Sequence, residues 1–212
     1  PFGNTAAWHP ISAARGTRRA AGAAGAGPKP RAILEDASAI LVAGGVAPVN
    51  QRLRHGDLLE AVIICESGTR AIVIGKRGEA ADFATGHLGS NLERVVRSAH
   101  IPVLITSRTF RPIAKVLVAF DASQSAEQAI ERMAGSSVFQ RLSVTMVHAR
   151  AASRGLIAVM DAARGRLQAS RLHVYTEFVD SEPEVVLRHK IEAEGFDLLV
   201  MGAYGHSRIR SL

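Results

Sequence analysis

Two short glycine-containing stretches carry the residue types that could hold a phosphate. Gly75 ends the apolar run IVIG and is followed by Gly78, which gives a G-x-x-G pattern. Gly202 ends the apolar run LLVMG and is followed in the same way by Gly205. Glycine lets backbone N–H groups approach an anion closely, and it lets the chain adopt a positive φ. A lone G-x-x-G is also typical of a tight turn after a strand. Each stretch taken alone therefore leaves both interpretations open.

A second feature follows the first of these stretches. Gly89, Ser90 and Asn91 precede the helical run LERVVRS. A phosphate-binding site commonly combines free N–H groups at a helix start, a nearby hydroxyl and the positive end of the helix dipole. This segment has the residue types for all three. The simpler alternative is an ordinary Ser or Asn cap. The combination of strand, G-x-x-G, spacer and Gly-Ser-Asn favours the phosphate interpretation.

The third candidate lies after another apolar run. KVLVAF leads into Asp121, Ala122 and Ser123. Ligands of open parallel sheets bind beyond the carboxyl ends of the strands, near the point where the strand order reverses. The Asp-Ala-Ser segment and both glycine stretches come at strand ends. We therefore expect them to line such a crevice.

The elements that would position these residues occur twice along the chain. An offset of 127 residues aligns SGTRAIVIGKRG with EGFDLLVMGAYG and DLLEAVIICE with EVVLRHKIEA. Each repeat reads as helix, strand, helix, strand, which indicates βαβ units, a parallel sheet and helices on both faces. In the first repeat we expect helices near 31–44 and 57–67, and a strand near 47–53.

The second repeat contains more of the unit. It opens with a strand at KVLVA, then a helix near Ser125 that Ser125 and Gln128 would start as a capping box, then the strand LSVTMVHA. The first repeat alone continues past its glycine stretch, into a helix from about Ser90 and a strand near 102–107. We expect each repeat to be incomplete. The first lacks the opening strand-helix-strand, and the second lacks the final helix and strand.

Composition narrows the class of protein. Residues 1–30 are rich in Ala and Gly and carry four Lys or Arg and no acid, so a disordered basic tail is expected. The tail therefore supplies four of the seven net positive charges. The remaining net charge of three on the rest of the chain is too small to indicate a protein that binds nucleic acid. No apolar run approaches the roughly 20 residues of a membrane helix. The one cysteine, Cys65, is expected to be a buried thiol in a reducing cytosol.

Several catalytic patterns are missing from the sequence. It has no G-x-x-x-x-G-K-[ST] phosphate loop, no G-x-S-x-G nucleophile elbow and no H-E-x-x-H or Cys/His cluster. P-loop enzymes, hydrolases with a serine elbow and common zinc sites are therefore not indicated.

The paired motifs resemble those of the universal stress protein family in its tandem form. Its nucleotide pattern, G-x2-G-x9-G-(S/T), matches Gly75, Gly78, Gly89 and Ser90 with ten spacer residues instead of nine. The second repeat begins the pattern again at Gly202 and Gly205. KVLVAFDAS is similar to the family's opening strand and D-G-S, with Ala122 replacing the glycine. The resemblance covers about residues 31–212.

The resemblance implies a flavodoxin-like, doubly wound parallel sheet in two tandem incomplete repeats, residues 31–110 and 111–212. It also implies a cytoplasmic stress-response regulator that binds ATP or another adenine nucleotide, with Mg²⁺ as an accompanying ion. Asp121 and the backbone near Val147 and His148 would lie by the base. The full set of nucleotide-binding candidates is Gly75, Gly78, Gly89, Ser90, Asn91, Asp121, Ser123, Gly202, Gly205 and His206.

Catalysis is not expected, because no general base or pair of Mg²⁺-binding carboxylates is evident near the motif, although slow ATP hydrolysis stays open. Family members pair through their last strands, so the apolar strand near 102–107 is expected to support self-association. The alternative function is a nucleotide-free interaction module that acts through this sheet edge.

Overall fold

The computed structural model describes residues 30–75, 90–107 and 109–203. The chain divides into two units, residues 1–64 and 65–212, and each is described separately. The predicted division into repeats after residue 110 stays a prediction. No helix in the described ranges is long and apolar enough to cross a membrane.

Two helices account for the regular structure described in the first unit. Helix α1 spans Pro30–Ala43, and α2, Leu58–Glu66, ends two residues into the second unit. The chain leaves α1 through Gly45, whose φ is +84° and whose N–H donates to the Val42 carbonyl at 2.9 Å. The Asp57 carboxylate starts α2 by accepting the Leu59 N–H at 2.8 Å. Both predicted helices are confirmed.

The strand predicted near residues 47–53 is wrong. Residues 46–56 contain no strand, whereas the equivalent part of the second repeat forms one, His173–Phe178. A strand needs a neighbour for its backbone hydrogen bonds, and His173–Phe178 obtains them from Ser143–His148. No strand is described in residues 30–64 that could do the same. Pro48 also lacks an N–H to donate.

Cys65 also departs from expectation, because its side chain is exposed. Helix α2 has no buried residue among its nine positions. An apolar sequence buries a thiol only where another layer packs over it. The expectation of a buried cysteine was therefore wrong.

The second unit begins with a two-stranded parallel sheet. Strand β1 is Ile72–Gly75, α3 is Ser90–Ser98 and β2 is Val103–Thr106. Ile72 pairs with Val103 and Gly75 with Thr106. Helix α3 buries Leu92 and Val95 almost completely. All three elements agree with the sequence-based expectation.

A four-stranded parallel sheet follows. Its strands are β3 (Lys115–Ala119), β4 (Ser143–His148), β5 (His173–Phe178) and β6 (Leu198–Met201), and its helices are α4 (Gln124–Ala134), α5 (Arg154–Ala169) and α6 (Pro183–Ala193). The strand order is β5-β4-β3-β6. The chain therefore moves outward from β3 to β4 and β5, then crosses back to place β6 on the other side of β3. The strand order reverses between β3 and β6.

Two apolar clusters hold the helices on opposite faces of this sheet. Val116, Val118 and Phe120 alternate onto one face and pack with α4 and α5 through residues that include Ile130 and Met160. Leu117 and Val147 face the other way and pack with Val186 and Leu187 of α6. Burying each large apolar side chain contributes about 1.5–3 kcal/mol. This two-sided packing is that of a doubly wound α/β sheet.

Candidate functional site

The crevice at the reversal point begins at the carboxyl end of β3. After Phe120 the chain turns through Asp121 and Ala122, whose φ is +59°. The Asp121 Oδ1 atom accepts the Ser123 N–H at 3.0 Å and closes the turn. An L-residue adopts this φ at a cost of about 1 kcal/mol, and glycine avoids that cost. The turn therefore has the shape that Asp-Gly-Ser would give, formed with alanine.

Ser123 starts helix α4. Its backbone is extended, with φ −72° and ψ 160°, and its Oγ accepts the Ala126 N–H at 3.2 Å. The Ser125 Oγ lies 3.1 Å from the Ser123 Oγ. The predicted capping box of Ser125 and Gln128 is wrong, because the tight turn at Ala122 delivers Ser123 to the cap position and the helix begins at Gln124.

Gly202 lies at the end of β6 and packs closely against the start of α4. Strand β6 ends at Met201, which pairs with Ala119 at the end of β3. A Cβ atom on Gly202 would lie 2.9 Å from the Ser125 Cβ and 3.0 Å from the Ala126 backbone nitrogen. Distances under 3.0 Å are not tolerated between such atoms. The glycine is thus required by the close approach of the β6 loop to the start of α4.

The structure therefore brings together one part of the predicted site. Asp121, Ser123 and Gly202 all lie at the carboxyl ends of adjacent strands β3 and β6. Gly205 and His206, which would continue this loop, lie outside the described residues.

The candidates of the first repeat are positioned by the smaller sheet. Gly75 is the last residue of β1, Ser90 is the first residue of α3 and Asn91 follows it with an exposed side chain. This is the strand-then-helix arrangement that the sequence predicted. Gly78 and Gly89 lie outside the described residues.

His148 is a residue whose side chain the sequence did not single out. It ends β4, and its ring Nδ1 lies 2.8 Å from the Phe120 carbonyl oxygen. Its ring centre lies 6.2 Å from that of Phe178, with the planes tilted by 53°. The side chain thus leans over the end of β3, next to Asp121. The sequence did contain a signal for His148, because it is a polar residue at the end of an apolar strand that neighbours the strand before the Asp-Ala-Ser turn.

Charged contacts at the amino end of the sheet are of a different kind. The Asp197 carboxylate accepts the N–H groups of Lys115 and Ala114, each at 3.0 Å, and these bonds lower the pKa of Asp197. Asp197 directly precedes β6, so the carboxylate fastens the start of β3 beside it. This contact lies at the end of the strands opposite the crevice and is structural.

Lys190 of α6 is buried, and its Nζ lies 2.5 Å from Glu177 and 3.0 Å from Glu194. Burial alone, the largest single influence, would lower the pKa of Lys190, but the bonds to both carboxylates together raise it. The ammonium also lies 5.9 Å from the centre of the Phe196 ring. The group is satisfied as an ion-pair cluster, and none of its members belongs to the crevice.

A metal-binding cluster is not found in the described part of the chain, where no three His, Cys, Asp or Glu residues come together. The crevice instead combines a carboxylate, two hydroxyls and the amino end of a helix. Backbone N–H groups and the helix dipole suit an anion, whereas Asp121 suits hydrogen-bond donors. The arrangement is suited to binding a ligand with a phosphate part and a donor-bearing part.

Comparison with known proteins agrees with this architecture. No family model matches the chain. A universal stress protein of Synechocystis sp. is 35% identical over 186 residues, which cover 87% of this chain and 65% of that protein. The chain belongs to the universal stress protein family. It spans about 65% of the length of this curated relative.

Solved structures of the family confirm the fold. A universal stress protein from Archaeoglobus fulgidus matches with a TM-score of 0.64 and 22% identity, covering 84% of this chain and 66% of that one. The predicted flavodoxin-like α/β fold is therefore confirmed. A universal stress protein solved in complex with cAMP matches with a TM-score of 0.39 and 23% identity over 47% of this chain. A likeness of that size carries no conclusion about ligands here.

Proposed function

We propose that this universal stress protein binds an adenine nucleotide, ATP, at the carboxyl ends of β3 and β6, and that it acts as a non-enzymatic cytoplasmic regulator of a stress response. Membership of the family supports the stress-response role. The observation that carries the nucleotide proposal is the contact of Gly202 with Ser125 and Ala126, which joins the glycine loop to the start of α4.

Each part of the crevice has a role in this proposal. The loop that begins at Gly202 and continues through Gly205 and His206 would hold ribose and phosphates, with the positive end of α4 beside it. Asp121 would face the base, and its contact with the Ser123 N–H fixes one carboxylate oxygen in place. In the first repeat we assign the phosphate role to Gly75, Gly78, Gly89, Ser90 and Asn91.

Mg²⁺ would enter with the nucleotide. Because Asp121 faces the base in this proposal and the Ser123 hydroxyl caps α4, Mg²⁺ would be held mainly by the phosphates and by its own waters. The ion would neutralise phosphate charge. The nucleotide acts as a ligand in this proposal and not as a substrate.

Thermal unfolding of the full chain tests nucleotide binding. ATP at 100 times its Kd should stabilise the folded state by about 2.7 kcal/mol. For a unit of this size that corresponds to a rise in Tm of roughly 5–11 °C. The variant Asp121→Ala should lose most of this rise. The matched control Asp161→Ala, on the exposed side of α5, should keep it.

Two results would contradict the proposal. The first is an unchanged Tm at millimolar ATP. The second is an equal response of Asp121→Ala and Asp161→Ala, which would place the ATP elsewhere on the chain.

The alternative is a nucleotide-free interaction module, and one observation favours it. The β1–β2 sheet exposes apolar side chains, with Val73 65%, Leu104 39% and Ile105 37% exposed. Strand β2 pairs only with β1 among the described strands, so its other edge is open. An open apolar edge is a template for pairing with a second chain. Under this alternative ATP leaves Tm unchanged, while self-association persists.

A further inference from the structure

The contact between His148 and Phe120 fixes the protonation pattern of the imidazole. A carbonyl oxygen only accepts hydrogen bonds, so the Nδ1 atom 2.8 Å away must carry the proton and donate it. In a neutral imidazole the other nitrogen, Nε2, then keeps its lone pair and is an acceptor. No other hydrogen bond to the ring is present among the described residues. The side chain is half-buried, so the ring is partly accessible.

His148 ends β4 at the same edge of the sheet as the proposed nucleotide crevice. The carbonyl that His148 contacts belongs to the residue directly before Asp121, so His148 and Asp121 lie at the ends of the neighbouring strands β4 and β3. The Phe120 bond and the Phe178 ring hold the imidazole in one orientation. The carboxyl ends of β3 and β4 thus carry two acceptors, the His148 Nε2 atom and the Asp121 carboxylate.

We propose that His148 is a specificity-determining residue, whose Nε2 accepts an N–H from the amino group of the nucleotide base. A base with a 6-amino group satisfies this acceptor. A 6-oxo base places an oxygen lone pair against it and leaves both atoms without a donor. This inference deepens the proposed function and rests on it.

The effect can be measured as a coupling between one residue and one ligand group. A neutral hydrogen bond contributes about 0.5–1.5 kcal/mol, which corresponds to roughly 2- to 13-fold in affinity. We therefore expect the wild-type chain to bind purine riboside triphosphate, which lacks the 6-amino group, about 5- to 10-fold more weakly than ATP. Inosine triphosphate, which carries the 6-oxo group, should bind more weakly still.

His148→Asn is the sharpest variant. The Asn amide nitrogen occupies nearly the place of Nδ1 and can still donate to the Phe120 carbonyl, but no atom reaches the place of Nε2. We expect ATP and purine riboside triphosphate to bind this variant within twofold of each other by calorimetry. The control His173→Asn changes an exposed histidine that begins β5, at the opposite end of the sheet, and should keep the wild-type ratio.

A second variant keeps the test decisive if His148→Asn does not fold. In His148→Gln the longer side chain places an amide oxygen near the position of Nε2, so preference for the 6-amino group should be largely retained. Equal affinity of the wild-type chain for ATP and purine riboside triphosphate would overturn the inference. An undiminished ratio in His148→Asn would do the same. If the wild-type chain binds no nucleotide, the proposed function fails and this inference fails with it.

Discussion

Replacing Gly202 by alanine tests the geometry that assembles the crevice. The φ of Gly202 is not in the left-handed region, so alanine meets no backbone penalty there. Without a clash, Gly→Ala would stabilise the protein by about 0.4–1 kcal/mol through the unfolded state. The structure instead places the new Cβ 2.9 Å from the Ser125 Cβ and 3.0 Å from the Ala126 nitrogen.

Ordinary contacts of this kind are 3.4–4 Å, so atoms must move by about half an ångström or more. Overpacking of this kind typically costs about 1–3 kcal/mol. The expected sign of the stability change is therefore the opposite of that for an unobstructed glycine. For a unit of this size the Tm should fall by roughly 2–12 °C. Because the Cβ pushes the β6 loop away from α4, the rise in Tm with ATP should also be lost.

Differential scanning calorimetry of the full chain, with and without ATP, measures both effects. Gly165→Ala is the matched control, because Gly165 lies within α5 with open space around it. That change should raise stability by up to about 1 kcal/mol and leave the ATP response intact. Both outcomes are read from the same scans.

A double variant isolates the cause. Ser125→Gly removes the atoms nearest to the new Cβ but leaves the Ala126 nitrogen in place. Combined with Gly202→Ala, it should recover about half of the lost stability, with a coupling of 0.5 kcal/mol or more. A Gly202→Ala chain that is as stable as wild type, or a double variant whose losses simply add, would refute the reasoning.

Three further outcomes are expected. The lowered pKa of Asp197 stabilises the folded state above the unfolded-state pKa of about 3.9, and this stabilisation is lost as pH falls through the lower folded-state value. Asp197→Asn should therefore reduce the free energy of unfolding at pH 7 by about 1 kcal/mol, after discounting for solvent screening. Urea melts of this variant should show a weaker pH dependence below pH 4. The Ile72 N–H donates to the Pro102 carbonyl, and because parallel hydrogen bonds alternate along a strand, the N–H of Ile105 points to the open edge of β2. Ile105→Pro removes that N–H and should reduce self-association, measured by light scattering at tens of micromolar. A monomeric wild-type chain would contradict this prediction. Ala122→Gly relieves the strain of the positive φ but increases the entropy of the unfolded chain, so the free energy of unfolding should change by no more than about 0.5 kcal/mol. Ala129→Gly, within α4, should lower the free energy of unfolding by about 1 kcal/mol. Equal losses in the two variants, measured by chemical unfolding, would count against strain at Ala122.

The sequence predicted most of the regular elements, because each of them has a strong local signal. The apolar runs ending at Gly75, Ala119 and Met201 are strands in the structure. The Asp57 cap and the exit of α1 through Gly45 fix helix ends by bonds within a few residues. Such features depend on neighbours in the chain, so they can be found without knowing the fold.

Two of the failures, the strand at 47–53 and the burial of Cys65, share a physical cause, because both depend on residues that are distant in the sequence. The segment 47–53 occupies the position of a strand in the repeat but has no described strand to pair with in its unit. Cys65 lies in an apolar run but on a helix with no buried residue. Hydrophobicity predicts burial only where a second layer exists to cover it.

The sequence by itself determined that this protein has the repeated strand-and-glycine pattern of a universal stress protein, because that pattern is carried by short runs of residues. The tertiary structure decided which residues meet in the crevice. Only the reversal of strand order brings Gly202 against Ser125, and only the pairing of β3 with β4 turns His148 toward the Phe120 carbonyl. These contacts join residues far apart in the chain, and parallel-sheet packing sets their distances.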